Sequence, residues 1–228
     1  MVDLHSHALF GMDDGAQTIE DSIAILKRAR KSGITKMALT PHFSIGEDVD
    51  EFIEKRDSHF KILLDEIKAE GIDIELKLGA EVYITDELFN ETQLGKLTIG
   101  DSDIILAEFK YHGVSNEDFI EYIDEILNGG YRVLIAHPER YSYLNPPLVR
   151  ALVKRGVLLQ ANAISFFEDS PEADSAYALL DERVLYCIGS DIHHARSRRL
   201  DAVERIIKTG KVDKLLFDNP EKIFDSIN

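Results

Sequence analysis

The chain has a single cysteine, Cys187, so it cannot close an intrachain disulfide. That excludes a small disulfide-stapled scaffold and fits a reducing compartment. Long apolar runs are missing too, since no stretch approaches the ~20 residues that span a bilayer. The opening residues Met1-Val2-Asp3-Leu4-His5 carry no basic segment ahead of an apolar one, so a cytoplasmic protein without a secretory signal is expected. Positive charge is scarce: 26 Lys and Arg face 42 Asp and Glu, for a formal net charge of -16. Such a balance argues against nucleic-acid or anionic-membrane binding. No linker rich in Pro, Gly or Ser appears, and no low-complexity segment or internal repeat. The 228 residues, 44% of them hydrophobic, suit one domain over positions 1–228 with a buried core. Cys187 lies within Val184-Leu185-Tyr186-Cys187-Ile188 and reads as a small buried hydrophobe. The arginine that cysteine-nucleophile phosphatases place after their cysteine is absent, because position 193 is His.

What is present is a recurring pattern. Short apolar runs end in metal-type ligands: His5-Ser6-His7, His42, Glu81, Glu108, His137 and Asp191-Ile192-His193. Strand ends fall near 5, 42, 81, 108, 137, 162 and 191, at intervals close to the ~30 residues of a βαβ unit. This predicts seven β-α units. Residues just past the C-terminal ends of barrel strands gather on one face, so ligands scattered along the chain converge there. An open doubly wound sheet is the rival architecture, but it would spread the ligands along a line.

Helices are predicted between the strands. Thr18 with Asp21 marks a cap, Ile19, Ile23, Leu26 and Ala29 form an apolar stripe, and Gly33 closes the helix. Residues 50–70 form a longer helix with Phe52, Ile53, Phe60, Leu63, Leu64 and Ile67 inward. Further helices are expected over 116–127, 147–155, 172–181, 199–209 and 219–227.

Each ligand candidate is weighed by its setting. In His5-Ser6-His7, alternate residues leaving a strand point the same way, so both imidazoles reach one ion. Asp13 and Asp14 are adjacent, so one ligates while the other caps a turn; spacing does not choose between them. Glu81 and Glu108 each follow a small residue after an apolar run. A buried carboxylate needs a partner or a metal, and the alternative for either is a salt bridge to a barrel arginine. Glu81 is the candidate bridge between two ions. Arg140 follows His137 closely, and Arg196, Arg198 and Arg199 follow His193. Guanidinium groups at the metal-bearing end suit an oxyanion substrate. Arg196 and Arg199 read as solvated helix-start residues, and His59, His112 and His194 as surface, with His112 near the rim.

Taken together, Asp3-Leu4-His5-Ser6-His7, Asp13-Asp14-Gly15, Thr40-Pro41-His42, Gly79-Ala80-Glu81, Glu108-Phe109, Ile135 to Tyr141, Ser190-Asp191-Ile192-His193 and Asp218-Asn219-Pro220 resemble the PHP (polymerase and histidinol phosphatase) superfamily. Within it they resemble the bacterial protein-tyrosine phosphatases of capsule and exopolysaccharide synthesis, the CpsB/YwqE group. The resemblance runs the length of the chain. It implies a distorted (β/α)7 TIM-like barrel and three divalent metal ions, most often Mn2+, with Fe, Zn, Co or Mg compatible with the ligands. It also chooses Asp14 over Asp13. One ion would be held by His5, His7, Glu81 and Asp191, a second by Glu81, Glu108 and His137, and a third by Asp14, His42 and His193. Arg140 and Arg198 fall on the phosphate-binding arginines. The four carboxylates among these ligands are outweighed by three divalent ions, so a phosphate centre can exist in an acidic chain.

The implied reaction is hydrolysis of phosphotyrosine by a metal-activated hydroxide. The implied partner is a cytoplasmic bacterial tyrosine kinase with a tyrosine-rich tail. Rivals are a small-molecule phosphatase such as histidinol-phosphate phosphatase, an amidohydrolase-type enzyme, and a non-catalytic kinase-docking scaffold.

Overall fold

Parallel strands run around a closed ring, and the ring is sealed at the end that carries the histidines and acids. The computed structural model of the protein describes residues 1–226 apart from 45, 87, 89–92, 168 and 211. Its strands are β1 (Val2–Asp3), β2 (Lys36–Leu39), β3 (His42–Phe43), β4 (Glu75–Leu78), β5 (Glu81–Tyr83), β6 (Ile104–Glu108), β7 (Arg132–Ala136), β8 (Leu158–Asn162) and β9 (Cys187–Gly189). Its α-helices are α1 (Ile19–Lys31), α2 (Val49–Ala69), α3 (Asn116–Asn128), α4 (Pro146–Lys154), α5 (Ala173–Asp181), α6 (Arg199–Thr209) and α7 (Leu215–Phe224). Strands pair in the orders β1-β2-β4 and β3-β5-β6-β7-β8-β9, all parallel.

The second and third strands, expected as unbroken runs, are each interrupted: β2 from β3 at Thr40-Pro41, and β4 from β5 at Gly79-Ala80. The breaks lie side by side and keep register, with Leu39 opposite Leu78 and His42 opposite Glu81. Pro41 has no N–H to offer the ladder. Gly79 is required by close approach, because a Cβ there would lie 3.2 Å from Thr40 Cγ2 and 3.3 Å from the Ile99 Cα. Two hydrogen bonds carry the ladder across, Gly79 N to Leu39 O (2.9 Å) and Glu81 N to Pro41 O (3.0 Å). Arg56 of α2, buried inside an otherwise apolar stripe, donates to the carbonyls of Gly79 (3.2 Å) and Lys96 (3.1 Å) and pins this bend.

Closure decides between barrel and open sheet. Asp191 N donates to His5 O (3.0 Å), His7 N donates to Ile192 O (2.9 Å), and Ser6 forms a parallel bridge with Ile192. Asp3 Oδ1 accepts from the backbone N–H groups of both His5 (3.3 Å) and Ser190 (3.1 Å), tying the first strand to the last. The seven strand positions therefore form a distorted (β/α)7 barrel.

Alternation along the strands sorts the core. Ile104 and Leu106 of β6, with Leu134 and Ala136 of β7, fill the barrel interior alongside Leu4 and Cys187. Ile105, Ala107, Val133 and Ile135 face the helices. Burial, followed by the charge on Asp3, pushes the Cys187 thiol pKa up, so the residue is an inert hydrophobe. Helix α7 departs from expectation. It starts at Leu215 rather than Asn219 and carries Pro220 inside it. Burying Leu216, Phe217, Ile223 and Phe224, the last two of which join the barrel-interior cluster, offsets the hydrogen bond that proline removes. The expected end at Ile227 lies outside the described residues. In α2, Leu64 is 39% exposed, because the buried stripe runs through Phe52, Arg56, Leu63 and Ile67.

Helix starts follow the local signals. Thr18 accepts from Asp21 N, and Asp21 Oδ2 accepts from Thr18 N (3.0 Å), a reciprocal cap. Thr18→Ala should cost about 1 kcal/mol, read as a lower midpoint in urea unfolding of the metal-free chain. An unchanged midpoint would show the cap to be energetically silent. No helix among the described residues is long and apolar enough to cross a membrane.

Candidate metal centre

The closed end of the barrel gathers nine side chains from seven separated segments. Each of His5, His7, Asp14, His42, Glu81, Glu108, His137, Asp191 and His193 has a nitrogen or carboxylate oxygen within 3.7 Å of another member. Glu81 is the hub. Its Oε2 lies 2.9 Å from His5 Nε2, 3.1 Å from His7 Nε2 and 3.3 Å from His42 Nδ1, and its Oε1 lies 2.9 Å from His137 Nε2. The side chain is 1% exposed.

Three overlapping ligand groups stand out. His5, His7 and Glu81 form one, with Asp191 Oδ1 at 3.6 Å from His5 and 3.5 Å from His7. A second contains His42, Glu81 and Glu108, and His137 approaches both carboxylates at 2.9 and 3.7 Å. A third contains His7, Asp14, His42 and His193. The second and third thus share imidazoles more widely than the grouping implied by the resemblance: His42 also faces Glu81, and His7 also faces His193.

Backbone strain aims two of these residues. His137 (φ 34°) and Asp191 (φ 51°) are left-handed, an uncommon state for residues with a Cβ. Along β7, alternation would send position 137 outward with Val133 and Ile135. The left-handed turn instead brings His137 into the mouth, against Glu81.

Electrostatics and donor chemistry fit cations. His5 Nε2 and His7 Nε2 face each other at 3.2 Å, a repulsive pairing of lone pairs unless a proton or cation lies between them. Burial opposes charge on His7, but the Asp13, Asp191 and Glu81 carboxylates outweigh it and hold its pKa well above the usual histidine value. Burial likewise opposes ionisation of Glu81 and Asp191. His5 and the other imidazoles, with Arg199 beside Asp191, nonetheless hold both pKa values well below the usual carboxylate range. His193 stacks on His7 with ring centroids 3.9 Å apart. Burial, then the charge on His7, push its pKa down to about 4. The mouth is a set of ionised carboxylates and inward-facing imidazole nitrogens, as divalent cations require.

A surrounding layer orients these donors. His7 Nδ1–H donates to Asp13 Oδ2 (2.6 Å), which leaves Nε2 for the cage. Asp13 also accepts from His42 N (2.9 Å) and Gly15 N (2.9 Å), so it fastens the first loop to two ligand segments while the largely exposed Asp14 reaches toward His193 and His42. His193 Nδ1–H donates to Asp191 O (3.0 Å), freeing its Nε2. The eighth strand, which offered no ligand candidate, supplies amides instead. His5 Nδ1–H donates to Gln160 Oε1 (2.7 Å), Gln160 Nε2 to Asn162 Oδ1 (2.9 Å), and Asn162 Nδ2 to Asp191 Oδ2 (2.8 Å). The sequence reading missed this relay, although two amides at alternate positions ending an apolar strand were the available signal. Glu139 Oε1, also buried, accepts from Asn162 N and Ser165 Oγ, both at 2.8 Å, and holds that strand end.

The arginines sort differently from expectation. Arg140 Nη2 donates to Asp191 Oδ2 (3.2 Å). Arg198 is 73% exposed and donates with both Nη atoms to Asp169. Arg199, expected to be solvated, donates through Nη1 to Asp191 Oδ2 (2.5 Å). These neighbours stand at the start of α6, where one residue's step turns a side chain by about 100° around the axis. That rotation separates the one at the cage from the one paired with Asp169. His112 and His194 are exposed, whereas His59 is half-buried and stacks on Phe10 (4.6 Å), bracing the first loop.

The family model described as capsular polysaccharide synthesis, CpsB/CapC, matches residues 1–225. The chain is 29% identical to the tyrosine-protein phosphatase CpsB of Streptococcus pneumoniae, covering 98% of each chain. It is 30% identical to the tyrosine-protein phosphatase YwqE of Bacillus subtilis (strain 168), covering 90% of this chain and 82% of that one. Among solved structures, one described with YwqE from Bacillus subtilis and CpsB from Streptococcus pneumoniae as unique metal-dependent tyrosine phosphatases superposes with a TM-score of 0.83. It is 25% identical and covers 100% of this chain and 96% of that chain.

Proposed function

The chain belongs to the CpsB/CapC family of capsular polysaccharide synthesis, and from that premise we propose that it hydrolyses phosphotyrosine on a protein with divalent cations seated at the barrel mouth. It is a metal-dependent tyrosine phosphatase, as its relatives are. The observation that carries the reading is Glu81, a buried carboxylate whose two oxygens meet four imidazoles. Burying such a group is costly without cations to balance it.

Three ions are proposed, with manganese the first choice. His5, His7, Glu81 and Asp191 would hold one, Glu81, Glu108 and His137 the second, and Asp14, His42 and His193 the third. When bound, such cations lower the pKa of water so that hydroxide is available near neutral pH, and they neutralise phosphoryl charge. The chain's own residues do the rest. Asp13, Gln160 and Asn162 fix the orientation of His7, His5 and Asp191. Arg140 and Arg199 grip Asp191 Oδ2, leaving Oδ1 to the cage, and both can turn a guanidinium edge to the phosphate oxygens. Arg198, one of the two positions matched by the resemblance, would reach that phosphate only by leaving Asp169. A phenol leaving group has a pKa of about 10, so it departs without a strong general acid. Residues 1–228 are proposed to work as a single cytoplasmic domain whose substrate is a bacterial tyrosine kinase with a tyrosine-rich tail.

The test is turnover of a phosphotyrosine peptide against histidinol phosphate by manganese-loaded protein, with elemental analysis of the same sample. A kcat/KM ratio on the order of 10²-fold in favour of the peptide, with nearly three ions per chain, is expected. Faster turnover of histidinol phosphate would replace the proposed substrate. A chain that holds no divalent ion would remove the mechanism.

A further inference from the structure

Among the described residues, the exposed large apolar or aromatic side chains are Ile62, Leu64, Tyr111, Val153, Ile207 and Leu215. Five sit on the outer helices α2, α4, α6 and α7. Tyr111, 38% exposed, alone stands at the metal-bearing mouth, in the loop after β6. Its hydroxyl donates to Glu108 Oε1 (2.7 Å). Its ring meets the His137 ring edge-on, with centroids 5.9 Å apart at 75°.

The ring is held in place before any substrate arrives. Tyr111 O accepts from Ser142 N (3.2 Å), Tyr143 OH donates to Lys110 O (3.1 Å), and Tyr141 OH accepts from Phe109 N (3.2 Å). The loop is thus stitched to the turn that carries Arg140. Below it, His5, His7, Glu81, His137 and Asp191 are all at most 1% exposed. A phosphate bound above them would lie beside Tyr111, whose hydroxyl and ring touch Glu108 and His137. A phosphotyrosine carries its phosphorus a ring's length from its backbone, so its own ring would lie at the level of Tyr111 when the phosphate is seated.

We infer that the Tyr111 ring packs against the aryl ring of the substrate and makes the site prefer aryl over alkyl phosphates. This deepens the phosphatase reading and rests on it. The loop's hydrogen bonds and the edge contact with His137 position the ring, and the exposed remainder of the ring is the recognition surface.

The test is calorimetric titration of the manganese-loaded protein with phenylphosphonate and with methylphosphonate, which carry similar anionic groups and cannot be hydrolysed. The wild-type chain should bind the phenyl compound more tightly. Tyr111→Phe removes the same Glu108 hydrogen bond and serves as the reference: it should keep the wild-type preference, and against it Tyr111→Ala should lower the preference for phenyl- over methylphosphonate about three- to tenfold. Tyr111→Leu is read in the same way as the alanine variant should the latter not fold. Equal weakening of both ligands, loss of the preference in Tyr111→Phe, or no wild-type preference would each overturn the inference. Because binding needs no turnover, failure to hydrolyse any phosphotyrosine peptide would count against the phosphatase reading alone.

Discussion

Glu81→Gln is expected to lower kcat/KM on a phosphotyrosine peptide on the order of 10³-fold, with loss of bound metal and an intact fold. The substitution preserves shape and removes one negative charge. It also places an amide N–H₂ where His5, His7, His42 and His137 now meet oxygens at 2.9 to 3.3 Å. Two of the three proposed ions share this carboxylate, so one change weakens both. The same residue also pairs with four imidazoles, which makes a folding control necessary. Elemental analysis, circular dichroism and kinetics on one preparation separate the two effects. A variant that keeps its full metal content and loses less than about tenfold in kcat/KM would show that Glu81 is not the hub of a catalytic metal centre.

Asp13→Ala is expected to weaken divalent-metal binding about 10- to 100-fold, although Asp13 is not among the proposed ligands. Its Oδ2 accepts from His7 Nδ1–H at 2.6 Å and from His42 N at 2.9 Å. Removing it frees the His7 ring to rotate and leaves the His42 N–H without its partner. It also removes a carboxylate that favours charge on His7. Asp13→Asn keeps an acceptor oxygen and should fall between wild type and alanine. Metal affinity measured by competition with a chelator reads the result directly. An alanine variant with wild-type affinity would mean that the His7 ring is held by packing alone.

The second prediction concerns one of two neighbours in sequence whose roles diverge in space, and that divergence marks where local reading stops. Asp13 and Asp14 are adjacent acids in one loop; only the positions of His7 and His193 distinguish the one that orients from the one that faces the cage. Arg198 and Arg199 are the same residue type at adjacent positions. A step of one residue around the first turn of α6 puts the first against Asp169 and the second on Asp191. Arg56 looks like a surface residue of α2, yet it is buried because two carbonyls at the strand bend need a donor.

The sequence by itself determined the β-α alternation, the helix cap at Thr18, the inert cysteine, and which histidines and acids end strands. Those features depend on short-range causes: period, capping chemistry and the cost of burying unpaired polar groups. Only the tertiary structure decided that the sheet closes through His5, His7, Asp191 and Ile192, that His137 turns inward on a left-handed backbone, and that α7 begins ahead of its proline. It also decided which arginine reaches the cage. Closure ties Asp3 to Ser190 and His5 to Asp191, His137 meets Glu81 from a different strand, Arg199 meets Asp191 only in the folded last unit, and the burial of α7 outweighs a local preference; no local pattern encodes such partners.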